Sequence, residues 1–176
     1  MTKLENLAIR IRAGGQTGVD RAALDFAVRH KRPYAGWCPR DGRAEDHETD
    51  RGLLDQYPNL TETPSREPEQ RTAWNVRDSH ATIILVRGDE LAKSRGTIFT
   101  RHSAELVFLR PCLVVDLTGP EPLSTAREWL ERTASGLGVD ELILNIAGPR
   151  ESEAPGIYEE AGRFLEDLLG PCLAAI

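Results

Sequence analysis

The chain has 176 residues, 40% of them hydrophobic and 28% charged, with a formal net charge of −6. That composition is globular rather than disordered, and the length suits one domain, residues 1–176, around one sizeable core. The charge argues against a generic nucleic-acid coat, and the longest apolar stretches, such as Ile83 to Val86, are too short to cross a bilayer.

In chain order, Leu7 to Ala13 reads as a first strand. A helix follows from Val19 to His30, because Val19, Ala22, Ala23, Phe26 and Ala27 share one helical face, and Pro33 stops it. A short strand is expected at Tyr34 to Trp37. Asp41 to Arg66 is polar and reads as an ordered loop, with at most a short helix at Asp50 to Gln56; so long a loop is often functional. Pro68 to Ser79 reads as a helix with proline in its first turn. Ala81 to Val86 is apolar and β-branched, as a strand buried on both faces should be. Then come a helix at Thr97 to Leu109, a strand at Cys112 to Asp116, a helix at Leu123 to Ser135, a strand at Leu142 to Ile146 and a helix at Gly156 to Leu169, with a frayed tail beyond. The alternation predicts an α/β fold: a doubly wound, mainly parallel sheet of five strands in a three-layer sandwich with five main helices.

One feature strains this picture. Arg10 and Arg12 alternate with Ile9 and Ile11 on the first strand. Either one face of that strand is incompletely covered, or Arg12 lies near the strand end and serves a ligand.

Ligands of open α/β sheets settle beyond the carboxyl ends of the strands. There the first strand runs into Gly14-Gly15-Gln16-Thr17-Gly18, and a helix follows. Glycines let backbone amides approach an anion, and the helix start adds partial positive charge. Thr17 offers a hydroxyl and Gln16 an amide. The loop is neither GxGxxG nor a Walker loop, whose lysine is missing. Asp20 either favours the helix dipole or contacts ligand hydroxyls or a metal; Arg21 meets a phosphate or pairs with an acid.

Arg71, Asn75 and Asp78 fall at i, i+4 and i+7, a fork donor, an amide and a carboxylate on one helix face. Gly96-Thr97, with Thr100 a turn later, makes a second helix start suited to an anion, unless Thr97 is an ordinary N-cap; Arg95 lies beside it. Gly148 to Ser152, with Arg150, forms a third strand-to-helix junction. Three such junctions at one sheet edge suggest a single polar crevice. Cys38, Cys112 and Cys172 are far apart and give neither a disulfide framework nor a zinc pair, which fits a reducing compartment. Met1 to Leu7 lacks the apolar run of a signal peptide, so a cytoplasmic protein is expected. His30, His47, His80 and His102 show no metal spacing.

The run from Gly14 to Asp25 (GGQTGVDRAALD) resembles the hallmark of the putative molybdenum carrier family. Four more segments agree: Gly36 to Pro39 with Ala44-Glu45-Asp46; Arg71 to Ser79; Gly96-Thr97 with Thr100; and Leu144 to Ser152. The resemblance runs from about Ile9 to Leu168. It implies a Rossmann-like fold, self-association and a phosphorylated ligand in the glycine-rich crevice, with molybdenum cofactor as a cargo. The family is similar in turn to phosphoribohydrolases, whose Gly-Gly-x-Gly-Thr loop is followed closely by a glutamate. Here only Gly96-Thr97 remains and Glu105 stands eight residues on, about 12 Å along a helix. His80 and Ala13 also depart from the pattern, where an acid and a serine are expected.

The residues favour binding of an anionic ligand over catalysis, with no metal site and no assigned catalytic residue, and the resemblance implies a carrier or binding protein for a phosphorylated pterin or nucleotide-like ligand. A nucleotide N-glycosidase and a ligand-sensing module are the alternatives. A homodimer or homotetramer is expected, since Leu24 and Val28 lie off the main apolar face of the first helix.

Overall fold

A computed structural model describes residues 7–47 and 51–170; Cys172, most of the expected tail and Asp50 lie outside them. Among the described residues, six strands alternate with seven α-helices: β1 (Ala8–Arg12), α1 (Val19–Arg29), β2 (Tyr34–Cys38), α2 (Gly52–Gln56), β3 (Leu60–Glu62), α3 (Pro68–Arg77), β4 (Ala81–Val86), α4 (Glu90–Lys93), α5 (Arg95–His102), β5 (Cys112–Asp116), α6 (Pro122–Leu137), β6 (Glu141–Ala147) and α7 (Ile157–Leu169). All pairings are parallel, in the order β3-β2-β1-β6-β4-β5. The chain winds outward from β1 to β3, crosses to β4 and β5, and returns to insert β6 between β1 and β4. Ile11 pairs with Leu144 on one side of β6, and Ile83 with Ile146 on the other. The carboxyl ends of β1, β6 and β4 thus stand side by side where the winding reverses, the place such sheets hold ligands.

The expected doubly wound α/β sandwich is present. Helix α1 packs on α7, which meets α6, while α3 packs on α5 and β2. The buried core joins Ile9 and Ile11 of β1, Leu142, Leu144 and Ile146 of β6, and Ile83 and Leu85 of β4 to Ala23 and Phe26 of α1 and Leu165 of α7. Arg10 and Arg12 point the other way along β1. Arg10 reaches Glu141 at 3.2 Å with both side chains partly open to solvent, and Arg12 is half-buried, its Nε without a hydrogen-bond partner. The face opposite the core is incompletely covered, which is how a central strand carries two arginines.

Three expectations are corrected. The polar Asp41 to Arg66 segment contains a sixth strand, β3. It is short, only Leu60 of it is buried, and it pairs at the sheet edge with Gly36, Trp37 and Cys38. The helix expected from Thr97 to Leu109 ends at His102, continues as one π turn over Ser103–Val107, and is closed by Leu109 at φ +49°. Its cap is Ser94, whose hydroxyl oxygen accepts the Thr97 amide, so Thr97 is not the N-cap. Leu24 is fully buried, which leaves Val28, half-exposed, as the apolar side chain on α1 open to a subunit contact.

Candidate functional site

The glycine loop between β1 and α1 is shaped by close approach. A Cβ on Gly14 would lie 2.0 Å from Arg71 Nη1, and one on Gly18 2.4 Å from the Pro149 carbonyl oxygen. Gly18 also sits at φ +76°, a backbone state that side chains resist. The loop therefore lets α3 and the segment after β6 press against it. Three of its backbone amides are engaged within the protein: those of Gln16 and Gly14 donate to the Asp20 carboxylate, and that of Thr17 to the Gln16 side chain. Gly15 gives its carbonyl to Arg21, which also makes a two-pronged pair with Asp46. Arg21 thus pairs with an acid.

Asp20 and Arg71 form an ion pair at 2.9 Å, with their side chains 5% and 15% exposed. Burial pushes the Asp20 carboxyl up, against the opposing pull of Arg71 and the loop backbone. Arg71 Nε is buried without a partner. The pair forms the floor of a crevice of about 750 Å3, inside the 300–1,000 Å3 common for small-molecule sites. Gln16 lines it from the first loop, Asp20 from the first turn of α1, Arg71 and Thr72 from α3, Arg95, Gly96 and Thr100 from α5, and Gly148 and Arg150 from the loop after β6. Five arginines (Arg43, Arg66, Arg71, Arg95, Arg150) face it against four carboxylates (Asp20, Glu45, Glu69, Glu153), in a chain of net charge −6. Arg43 and Arg95 are exposed there and pair with no described residue.

Glu45 joins two loops. Thr17 donates its hydroxyl to Glu45 Oε1, Ser152 donates its hydroxyl to Oε2 at 2.6 Å and its amide to Oε1 at 3.3 Å, and Gln16 accepts the Glu45 amide at 3.0 Å. Burial pushes the Glu45 carboxyl up, but these hydrogen bonds outweigh it and hold the group below its ordinary range. Arg150 lies 3.9 Å from Glu45 and 3.3 Å from Glu153, and Glu153 accepts the Ser94 hydroxyl at 2.8 Å. Carboxylates thus tie the loop after β6 both to the glycine loop and to the start of α5. Glu153 does not stand out in the sequence, and Glu45 is marked there only as part of the Ala44-Glu45-Asp46 segment of the family resemblance, with no role attached.

The other expected residues divide. Thr100 lines the crevice and donates to the Gly96 carbonyl at 2.9 Å; Thr97 is buried behind it on Ser94. Asn75 is buried beside a minute hollow under Arg71, and brackets the Trp37 backbone, accepting its amide at 2.8 Å and donating to its carbonyl at 2.9 Å. Asp78 lies at the far end of α3, where it accepts from the Trp37 indole at 2.7 Å and pairs with Arg77. It does not share the crevice with Arg71.

Asp20, Glu45 and Glu153 are each engaged by donors. Glu105 points out from the π turn and pairs with Arg101 at 3.0 Å. Cys38 is fully buried, and burial pushes its thiol up to about 11. Among the described residues no three His, Cys, Asp or Glu side chains converge as a metal site, and no helix is long and apolar enough to cross a membrane.

Two comparisons bear on this site. The model of the circularly permutated YpsA SLOG family matches residues 11–169. The crystal structure named Putative molybdenum carrier protein, from Syntrophus aciditrophicus SB, is 35% identical; the match covers 93% of this chain and 96% of that one, with a TM-score of 0.77. No curated protein matches.

Proposed function

The chain belongs to the circularly permutated YpsA SLOG family, a molybdenum-carrier-like group, and we propose that it carries a phosphorylated pterin or nucleotide-like ligand in its arginine-lined crevice. The observation that carries this reading is the convergence, at one sheet edge, of the loops after β1, β4 and β6 around five arginines, in a protein that is otherwise acidic. Excess arginine is what a phosphate requires, since its fork donates to two oxygens at once. Molybdenum cofactor, a pterin with a terminal phosphate, is the cargo that the name of the Syntrophus protein suggests for this crevice.

The crevice bears on the fit in two ways. It has the volume of a small-molecule site, and Phe99 and Ile98 supply an apolar wall beside the arginines, as a flat ring system with a charged tail would need. An N-glycosidase would need an oriented, unengaged carboxylate to activate water. Asp20, Glu45 and Glu153 are engaged, and Glu69 stands exposed on the first turn of α3.

Calorimetry with molybdenum cofactor and with nucleoside monophosphates tests the reading. Saturable binding is expected, weakened about tenfold, or about 1.4 kcal/mol, by Arg95→Ala. No saturable binding of any of them overturns it. Self-association as a dimer or tetramer belongs to the same proposal: Val28, Leu106 and Leu109 are exposed apolar side chains open to it. Light scattering that shows only monomer removes that part.

A further inference from the structure

The donors best placed for an anion from the glycine loop and from the loop after β6 are already taken. The hydroxyl of Thr17, the hydroxyl and amide of Ser152, and the Arg150 guanidinium 3.9 Å away all converge on one carboxylate, Glu45. Glu45 arrives from a third segment, between β2 and α2. It lines the crevice together with Arg150, while Thr17 is half-buried and Ser152 exposed to solvent. Its backbone is held apart from its side chain, by the Gln16 side chain. Rotation about the side-chain bonds alone would therefore uncover the donors, leaving that backbone contact in place.

A carboxylate and a phosphate ask for the same partners, but the phosphate brings more charge and a third acceptor oxygen. We propose that Glu45 is an intramolecular stand-in for the ligand's phosphate, and that a phosphorylated ligand seats itself by displacing the Glu45 side chain from Thr17 and Ser152. The inference rests on the binding reading given above and names how that site is regulated. The resident carboxylate makes the crevice selective. A ligand without a phosphate has nothing to exchange for Glu45, whereas a doubly charged phosphate does. Until the exchange occurs, Glu45 keeps the two loops together.

The test is calorimetry of the full chain, and of Glu45→Ala and Glu45→Gln, with adenosine monophosphate, inorganic phosphate and adenosine as probes. Removing the competitor is expected to tighten both phosphate-bearing probes about tenfold in Glu45→Ala, and less in Glu45→Gln, which keeps the shape and loses the charge. Adenosine is expected to gain nothing. Circular dichroism checks that the variants fold, and Glu45→Gln decides the question should Glu45→Ala not. Wild-type binding that is unchanged or weakened in the folded variants overturns the stand-in while leaving the binding reading intact. An equal gain for adenosine overturns it as well. Absence of binding to every protein overturns both.

Discussion

Arg71 Nη1 lies 2.9 Å from Asp20 Oδ2 and fills the space in which a Cβ on Gly14 would come within 2.0 Å of it. Gly14→Ala therefore cannot keep the pair as it stands. The side chain of Arg71 must shift, and an overpacked site of this kind costs about 1–3 kcal/mol. Asp20→Asn leaves the guanidinium buried without its counter-charge and is expected to cost about 3 kcal/mol. Urea unfolding measures both; equal stability of Asp20→Asn and wild type would show that the pair does not support the fold.

Asn75 braces the backbone of β2. It satisfies both the amide and the carbonyl of Trp37, at the end of β2, from inside α3. Asn75→Ala orphans two backbone groups and is expected to destabilise by about 2 kcal/mol. Its effect on ligand affinity should be small. A variant of wild-type stability that loses binding would make Asn75 a ligand contact instead.

Acid should weaken the fold, with a definite sign. Asp46 is held low by its hydrogen bonds from Arg21, and Asp78 by those from Arg77. In Glu45 burial raises the pKa, but the bonds from Ser152 and Thr17 prevail and lower it. A carboxylate lowered on folding stabilises the native state above its unfolded pKa, and that contribution is lost as pH falls through the native value. Asp20, raised by burial, acts in the opposite sense. Asp46, Asp78 and Glu45, with Asp89 and Asp116, which are lowered as well, should dominate below about pH 4. The urea midpoint is expected to fall with acidification, less steeply in Asp46→Asn. A midpoint that rises on acidification would contradict this.

The thiols of Cys38 and Cys112 should be inert in the folded protein. Burial pushes them up to about 11 and about 12, so little thiolate exists at neutral pH. Iodoacetamide followed by peptide mapping is expected to leave both unmodified until denaturant is added. Rapid native alkylation of Cys38 would indicate an opening of the edge where β2 meets β3.

Most of the fold could be read from period and punctuation. The β-branched run at Ile83 to Val86 and the Val19 to Ala27 helical face each left a pattern that no other element would produce. Strand β3 did not, because Thr61 and Glu62 face solvent at an edge and Leu60 alone carries the apolar signal. The end of α5 was hidden for the opposite reason. Leu106, Val107 and Leu109 look like a continuing buried face, yet Leu106 and Val107 are exposed on the π turn and Leu109 just beyond it. In the candidate site, helical spacing put Arg71, Asn75 and Asp78 on one face, but spacing cannot see Trp37. The neighbouring strand takes two of the three side chains for itself. Glu45 was visible only as part of a family segment; its role was not, because that lies in Thr17 and Ser152, which are distant in sequence.

The position of β6 sets an order of assembly. It is the last of the six strands in the chain, yet it is the one that joins β1 to β4. A growing chain can pair β1 with β2 and β4 with β5 early. The two halves have no shared ladder until Glu141–Ala147 emerges and slots between them. The crevice needs Gly148 and Arg150, which follow that strand directly. Strand β1, which ends at Arg12, thus waits through more than a hundred residues of synthesis, and β4, which ends at Val86, through about half as many, each exposing an unpaired edge until Glu141 emerges; this is the period of greatest aggregation risk.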